Sequence, residues 1–339
     1  MNGSNSDAFK DTKPKHEVGI VTHGLSDRGN VRDSNQDQFL IGTLRPCVHA
    51  ASSSLGAEGS HPFFGEKQSD ILIVADGMGG HAAGERASQL AVEYLVQRLA
   101  EQSWPSTAPD VADPSAHEEW LQGVLRDTHL QILQEAESHP ERFGMGTTLT
   151  MAEIVWPRMS VLHAGDSRCY LIRDGVPIRL TTDHTLARRM VESGDLNHED
   201  EPESRWSNVL WNVLGGRLEG ELVAQVETVE LHLGDVVVLC SDGLYRYVGD
   251  ELLASIISEE GDSQSICREL VRVANAAGGE DNITVIVAQM LLDTGDETGR
   301  TAIQEETVVE ETYGSIEVDD GTLAMLSEFD TTIDRSSST

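Results

Sequence analysis

The stretch Ile71-Leu72-Ile73-Val74-Ala75-Asp76-Gly77-Met78-Gly79-Gly80 decides how this chain is read. Five apolar residues in a row, between Asp70 and the Asp76-Gly77 pair, are too few for a helix and suit a buried strand. The strand runs straight into a carboxylate. A second stretch, Val236-Val237-Val238-Leu239-Cys240-Ser241-Asp242-Gly243, repeats the arrangement. Asp281-Asn282 precedes the apolar run Ile283-Thr284-Val285-Ile286-Val287, and His163-Ala164-Gly165 leads into Asp166. Each of the four places a carboxylate where a strand emerges at the rim of a sheet.

Outward from these stretches, strand-like runs dominate. They lie at residues 18–22, 38–42, 71–75, 148–155, 160–164, 169–173, 223–229, 236–240 and 283–290. Asp174-Gly175 separates two apolar segments as a hairpin turn would. Residues 45–68, rich in Ser, Ala and Gly, are expected to form a long inserted loop. Helical periodicity is confined to 83–100, 120–137, 250–258 and 263–277, the last stopped by Gly278-Gly279. Consecutive strands with helices in two pairs predict an α+β fold, not alternating βαβ units.

The chain has 339 residues, with 24 Lys and Arg against 58 Asp and Glu, a formal net charge of −34. Binding a phosphate backbone needs clustered cations, so this balance argues against nucleic acid and against an anionic membrane surface. No apolar run approaches the roughly 18 residues of a membrane span, and residues 1–16 lack the apolar core of a signal peptide. Cys47, Cys169, Cys240 and Cys267 are widely spaced, as expected for small buried hydrophobes in a reducing compartment. A cytoplasmic location is the expectation.

Residues 293–339 hold 13 acidic and 2 basic side chains, a net of −11 that leaves −23 for the rest. This segment is Thr-, Ser- and Glu-rich without periodicity and is expected to be a disordered tail. It sets threonines among acids at Thr307–Thr312, with a short apolar island at Leu323–Leu326. A docking or autoregulatory role and a merely solubilising one are both compatible with that composition.

Asp-Gly is a common turn pair, so any single one of the four carboxylates has a plain explanation. Four together point further. Carboxylates held close without cations repel and raise one another's pKa, so a convergent group implies bound metal. With oxygen donors only, Mg²⁺ or Mn²⁺ is favoured over zinc. A further segment, Asp27-Arg28-Gly29-Asn30-Val31-Arg32-Asp33-Ser34-Asn35-Gln36-Asp37, reads alone as a solvated charged loop. Beside a metal cluster, Arg32 would supply a forked donor for phosphate.

The order of these motifs is recognisable. Arg32-x-x-Asn35-Gln36-Asp37, Asp76-Gly77-Met78-Gly79-Gly80, Gly146-Thr147-Thr148, Ala164-Gly165-Asp166-Ser167-Arg168, Asp183-His184-Thr185, Ser241-Asp242-Gly243-Leu244 and Asp281-Asn282-Ile283-Thr284 follow one another along the chain. Over residues 17–292 the sequence resembles the metal-dependent protein phosphatase 2C (PPM) family, especially its stand-alone bacterial members. The resemblance implies a central β-sandwich of two antiparallel sheets flanked by helix pairs. It also implies hydrolysis of phosphoserine and phosphothreonine in proteins by a water or hydroxide bridging two Mn²⁺ or Mg²⁺ ions, with a weaker third ion in bacterial members.

Carried over by motif, Asp76 would bridge both ions and the Gly77 carbonyl would bind the second. Asp242 and Asp281 would complete the first site, and Asp166 with Asp242 would hold the third ion. Asp37 would orient the attacking water, and Arg32 would take the substrate phosphate. Residues 186–216 lie where the family carries a variable flap. Gln36 stands where the family often has Glu, and is not expected to be a ligand. Met78 stands where many eukaryotic members have a His proposed as general acid, which leaves that role unassigned; His81 is read as structural.

The expected organisation is a disordered N-terminus over 1–16, a catalytic domain over 17–292 and the tail over 293–339. The expected partners are phosphoprotein substrates and an opposing serine/threonine kinase, with the protein itself a monomer. Two rivals remain at this point. Gly77-Met78-Gly79-Gly80-His81-Ala82 satisfies a loose dinucleotide pattern, but Asp76 would face the pyrophosphate and no parallel strand follows the next helix. The other is a catalytically weak phosphoprotein-binding module of the same fold, against which the retention of Asp76, Asp242 and Asp281 argues.

Overall fold

A computed structural model describes residues 18–45, 47–48, 63–64, 68–101, 114–216 and 221–292. The expected disordered N-terminus, the acidic tail and most of the inserted loop at 45–68 lie outside the described residues. The chain begins with β1 (Val18–Asp27) and β2 (Asp37–Leu44), followed by a small ribbon of β3 (Cys47–Val48) and β4 (Phe63–Phe64). Next come β5 (Ser69–Met78), α1 (His81–Glu101) and α2 (Pro114–Ser138). A run of strands follows: β6 (Gly146–Thr147), β7 (Leu149–Val155), β8 (Arg158–Ala164), β9 (Arg168–Arg173) and β10 (Val176–Arg179). The remainder is α3 (Leu186–Ser193), β11 (Leu214–Gly215), β12 (Gln225–Glu230), β13 (Val236–Cys240), α4 (Asp242–Tyr245), α5 (Asp250–Glu259), α6 (Ser263–Ala277) and β14 (Ile283–Leu292).

Two antiparallel sheets face each other. One has the order β1-β14-β13-β9-β10; the other runs β11-β6-β5-β7-β8-β12, with β2 paired to the free side of β5. Their facing surfaces interdigitate Leu72, Val74, Ala152, Ile154 and Val161 with Leu171, Val237, Leu239, Ile286 and Ala288. On the outer faces, Ile71, Ile73 and Ala75 pack under Ala87, Leu95, Leu121 and Leu125 of α1 and α2. Val236, Val238, Val285 and Val287 pack in the same way under Ile256, Ile266, Leu270 and Ala274 of α5 and α6.

This four-layer arrangement explains the continuous apolar runs. In a strand, successive side chains alternate faces, and here both faces of β5 and β13 are dry. Fully burying each such Val, Leu or Ile is worth about 1.5–3 kcal/mol, so any polar residue in these runs would be costly. The expected α+β sandwich with paired helices is the fold.

Local differences from the sequence reading have identifiable causes. β5 does not stop at Ala75: it continues through Asp76-Gly77-Met78, because Gly77 and Met78 pair with Thr147 and Gly146 of β6. The expected strand 148–155 is found as β7, preceded by the separate short β6; between them lies Thr148, whose amide bonds the Asp76 carbonyl at 2.9 Å. The region 186–216 contains a helix that periodicity did not reveal. α3 is capped by Thr185, whose Oγ1 accepts from the Arg188 amide at 3.1 Å, and closes on Gly194 at φ 82°. Asp174 and Gly175, at φ 52° and 76°, form the expected turn between β9 and β10. Cys169, Cys240 and Cys267 are buried free thiols, as expected.

Candidate metal centre at the rim of the sandwich

Each of the expected aspartates is placed by a different device. Asp37 opens β2 and lies directly opposite Asp76 in the β2–β5 ladder. Asp166 occupies the tight connection between β8 and β9, where the chain passes from one sheet to the other. Asp242 is the first residue of α4, two residues after β13, and Asp281 lies two residues before β14. Together with Arg32, Gln36, Gly77 and Met78, four of these acids, Asp76, Asp166, Asp242 and Asp281, line an open cleft of about 580 Å³. Asp37 lies beneath it, buried, with its Oδ2 accepting from Ser241 Oγ at 2.7 Å.

The glycines of the two Asp-Gly pairs are not turn residues. Neither has a positive φ among the described residues. A Cβ on Gly77 would collide with the Gly84 carbonyl and lie 2.6 Å from the Gln36 carbonyl oxygen; one on Gly243 would strike the Asn282 carbonyl. Both are required by close approach of backbone to backbone, which also places the Asp beside each at the rim.

The motif residues without an assigned role turn out to be fasteners. Asn282 donates through Nδ2 to the carbonyls of Arg28 and Ser34, both at 2.9 Å, and its Oδ1 accepts from the Gln36 amide at 2.9 Å. Asn35 Nδ2 donates to Ser26 Oγ at 2.8 Å while its Oδ1 accepts from the Asp37 amide at 3.1 Å. Together they hold the loop that carries Arg32 and Asp37 against the end of β14. Thr148 Oγ1 accepts from the Asp76 amide at 3.0 Å, and Thr147 Oγ1 donates to the Asp76 carbonyl at 2.9 Å.

Asp183, His184 and Arg168 do the same for Asp166. Arg168 binds Asp183 through two hydrogen bonds, at 3.0 and 2.6 Å, and its guanidinium lies 3.5 Å over the Tyr245 ring. Tyr245 in turn reaches Asp166 Oδ2 at 3.4 Å, and His184 Nδ1 accepts from the Gly165 amide at 3.1 Å.

Electrostatically the cluster is frustrated. Burial, then repulsion by Asp242 and Asp281, raises the Asp37 carboxyl to about 7 against the pull of its hydroxyl donors. Burial and repulsion from Asp242 and Asp183 raise Asp166 to about 8. Asp76 is pushed well above the carboxylate range by burial and by Asp37, Asp242 and Asp166. Burial also raises Asp242, with Arg246 opposing. Asp37 Oδ1 and Asp242 Oδ1 are buried without a hydrogen-bond partner. Orphaned anionic oxygens in an all-oxygen cluster are a fit for hard divalent cations.

Two arginines currently answer part of that charge. Arg32 Nη2 lies 2.6 Å from Asp281 Oδ2, and Arg246 is ion-paired with Asp242 one helical turn back. Among the described residues no three acidic, His or Cys side chains are yet drawn into a metal cage. Arg246 was not singled out by sequence reasoning. Its only signal was the i,i+4 spacing from Asp242.

A two-sheet sandwich with acids from both sheets converging at one end defines a class of proteins with an oxygen-donor metal centre. Comparison places the chain within it. Residues 56–288 match the family described as protein phosphatase 2C. The serine/threonine phosphatase stp of Listeria innocua is 31% identical over 264 residues, 78% of this chain and 93% of that one. The structure of the Streptococcus agalactiae serine/threonine phosphatase superposes with a TM-score of 0.66 at 27% identity, covering 80% of this chain and 99% of that one. The catalytic domain of a serine/threonine protein phosphatase PstP, solved in complex with 2 manganese ions, gives a TM-score of 0.62 at 30% identity, covering 81% and 100%. The chain belongs to the protein phosphatase 2C family. The family match begins after β2, so Arg32 and Asp37 join the centre by folding, from outside the matched segment.

Proposed function

We propose that this chain is a metal-dependent protein phosphatase that hydrolyses phosphoserine and phosphothreonine in proteins, with its chemistry in the rim cleft. The observation that carries the reading is the convergence of Asp37, Asp76, Asp166, Asp242 and Asp281 with two orphaned carboxylate oxygens among them. Asp76, the Gly77 carbonyl, Asp242 and Asp281 would hold two Mn²⁺ or Mg²⁺ ions, and Asp166 with Asp242 a third. When bound, such ions lower the pKa of water and offset charge on the phosphoryl oxygens.

The chain's own residues do the rest. Arg32, half exposed at the mouth of the cleft, takes the substrate phosphate in its forked donor set. Asp37 is held at Oδ2 by Ser241, so its free Oδ1 orients the attacking water by accepting a hydrogen bond. Oxygen of that water bonds to phosphorus as the bond to the seryl or threonyl oxygen breaks. Met78 lines the cleft and has no exchangeable proton, so the leaving oxygen takes its proton from water there. No side-chain nucleophile is required.

The described residues carry the whole sandwich, which supports 17–292 as the catalytic domain. The expected tail over 293–339 lies outside them. No described helix is long and apolar enough to cross a membrane. We place the protein in the cytoplasm, as a monomer opposing a serine/threonine kinase, on the strength of its charge and its reduced thiols.

The test is manganese-dependent release of phosphate from a phosphothreonine peptide. EDTA should abolish it, and Asp76→Asn or Asp242→Asn should reduce it by orders of magnitude. Full activity of Asp76→Asn sinks the assignment.

A further inference from the structure

Arg246 is the cationic group lining the cleft that the proposed reaction does not use. It lies on the wall of the cleft together with Arg32, Asp76, Asp166, Asp242 and Asp281. Its backbone is fixed, because its amide bonds the Asp242 carbonyl at 3.2 Å and continues the turn of α4. That turn brings the guanidinium back over its own helix start, where Nη2 pairs with Asp242 Oδ2 and Nη1 lies 3.9 Å from Asp281 Oδ2. Arg32 reaches the same Asp281 oxygen from the opposite loop. Two guanidinium groups from different segments therefore converge on one pair of carboxylates.

Such convergence has a consequence. Asp242 and Asp281 are two of the acids that would hold cations. A divalent ion and a guanidinium cannot both sit on the same oxygens without repulsion, so cation binding must release Arg246 from Asp242. Its side chain is one-third exposed and faces the cleft, so the released fork stays within it. The anion then present is the substrate phosphate, which a second planar fork can bind alongside Arg32.

We propose that Arg246 is a second phosphate-binding arginine of this enzyme, resting on Asp242 and Asp281 as a counter-cation until divalent ions take those carboxylates. The inference rests on the phosphatase reading and adds a residue to its substrate site. In this role Arg246 competes with metal in the free protein and assists substrate in the loaded one, so a single substitution shifts the two affinities in opposite directions.

The experiment uses the full chain and Arg246→Gln. Titration calorimetry with manganese chloride alone should show several-fold tighter binding than wild type. Inorganic phosphate should bind the manganese-loaded variant about tenfold more weakly, the loss expected for one charge-assisted contact. The KM for a phosphothreonine peptide should rise by a similar factor, with kcat changed far less. Arg246→Lys keeps the charge but not the fork, so it should restore wild-type manganese affinity and leave phosphate binding weak. Arg158→Gln, an exposed change of equal charge at the far end of β8, should match wild type in both titrations.

Unchanged or weaker manganese binding by Arg246→Gln overturns the proposal, as does unchanged phosphate affinity. Tighter manganese binding by Arg158→Gln overturns it too, since the effect would then be one of net charge. Failure of the phosphatase reading would look different: wild type itself would not release phosphate from the peptide, whatever Arg246 does to manganese.

Discussion

Asp37 and Asp76 stand directly opposite each other across the β2–β5 ladder, two carboxyl groups one strand spacing apart where the sheet meets the cleft. Opposed like charges destabilise an antiparallel pair, and burial here adds to the cost. Asp37→Asn should therefore stabilise the protein in EDTA, raising Tm by about 1–3 °C. The same change should lower turnover about a hundredfold or more if Asp37 orients the attacking water as proposed. Differential scanning calorimetry beside a phosphopeptide assay checks both; a fall in Tm in EDTA contradicts the account.

Gly77 and Gly243 have no room for a methyl group. Either change to alanine must push backbone against backbone, at a cost of about 1–3 kcal/mol in urea denaturation. Gly243→Ala should also weaken manganese binding, because the collision with Asn282 displaces Asp242 and Asp281 together. Unaltered stability and metal affinity would show that the rim yields more easily than its packing implies.

Arg168 anchors the Asp166 connection through Asp183 and Tyr245. Arg168→Ala leaves Asp183, which is buried, without its main partner and should cost about 3 kcal/mol. Arg168→Lys should rescue little of this, since the pairing uses two parallel bonds and a flat stack. Equilibrium denaturation of the two variants decides the point.

His163 and His184 stack with ring centroids 4.9 Å apart, buried beside the Asp166 turn. Burial lowers His163 to about 3, with His184 adding to the effect, and lowers His184 to about 4. Both are neutral in the fold, whereas the unfolded chain takes up their protons near pH 6.5. Their contribution is thus complete above about pH 6.5 and is lost progressively as pH falls toward their folded values. The stability difference between wild type and His163→Gln should shrink from pH 7.5 to pH 5. A constant difference would mean that His163 acts by packing alone.

The continuous apolar runs of β5 and β13 were legible because burial on both faces leaves no position for a polar side chain. The helices α1, α2, α5 and α6 were legible from their periodic apolar faces. α3 was not: at eight residues it spans barely two turns, so it carries a cap at Thr185 and a glycine stop at Gly194 but too short an apolar pattern to stand out. Asp76-Gly77 looked like a strand end, yet β6 extends the strand past it, and pairing with a distant two-residue strand leaves no local mark.

The same division holds at the centre. Which residues are candidates for the chemistry was legible in the sequence, because oxygen ligands must be acids and a phosphate fork must be an arginine. Asp76, Asp166, Asp242 and Asp281 were proposed that way, and Asp37 from its place in the family's first motif. Their relations to one another belong to the tertiary structure alone. Asp37 faces Asp76 because of strand register, and Asn282 ties down a loop 248 residues away in sequence at Ser34. Arg246 became part of the site only when one turn of α4 folded its guanidinium back over Asp242. Spacing along a chain names donors and charges; only packing sets their distances, and at a cluster of like charges distance determines which pKa rises and which cation answers it.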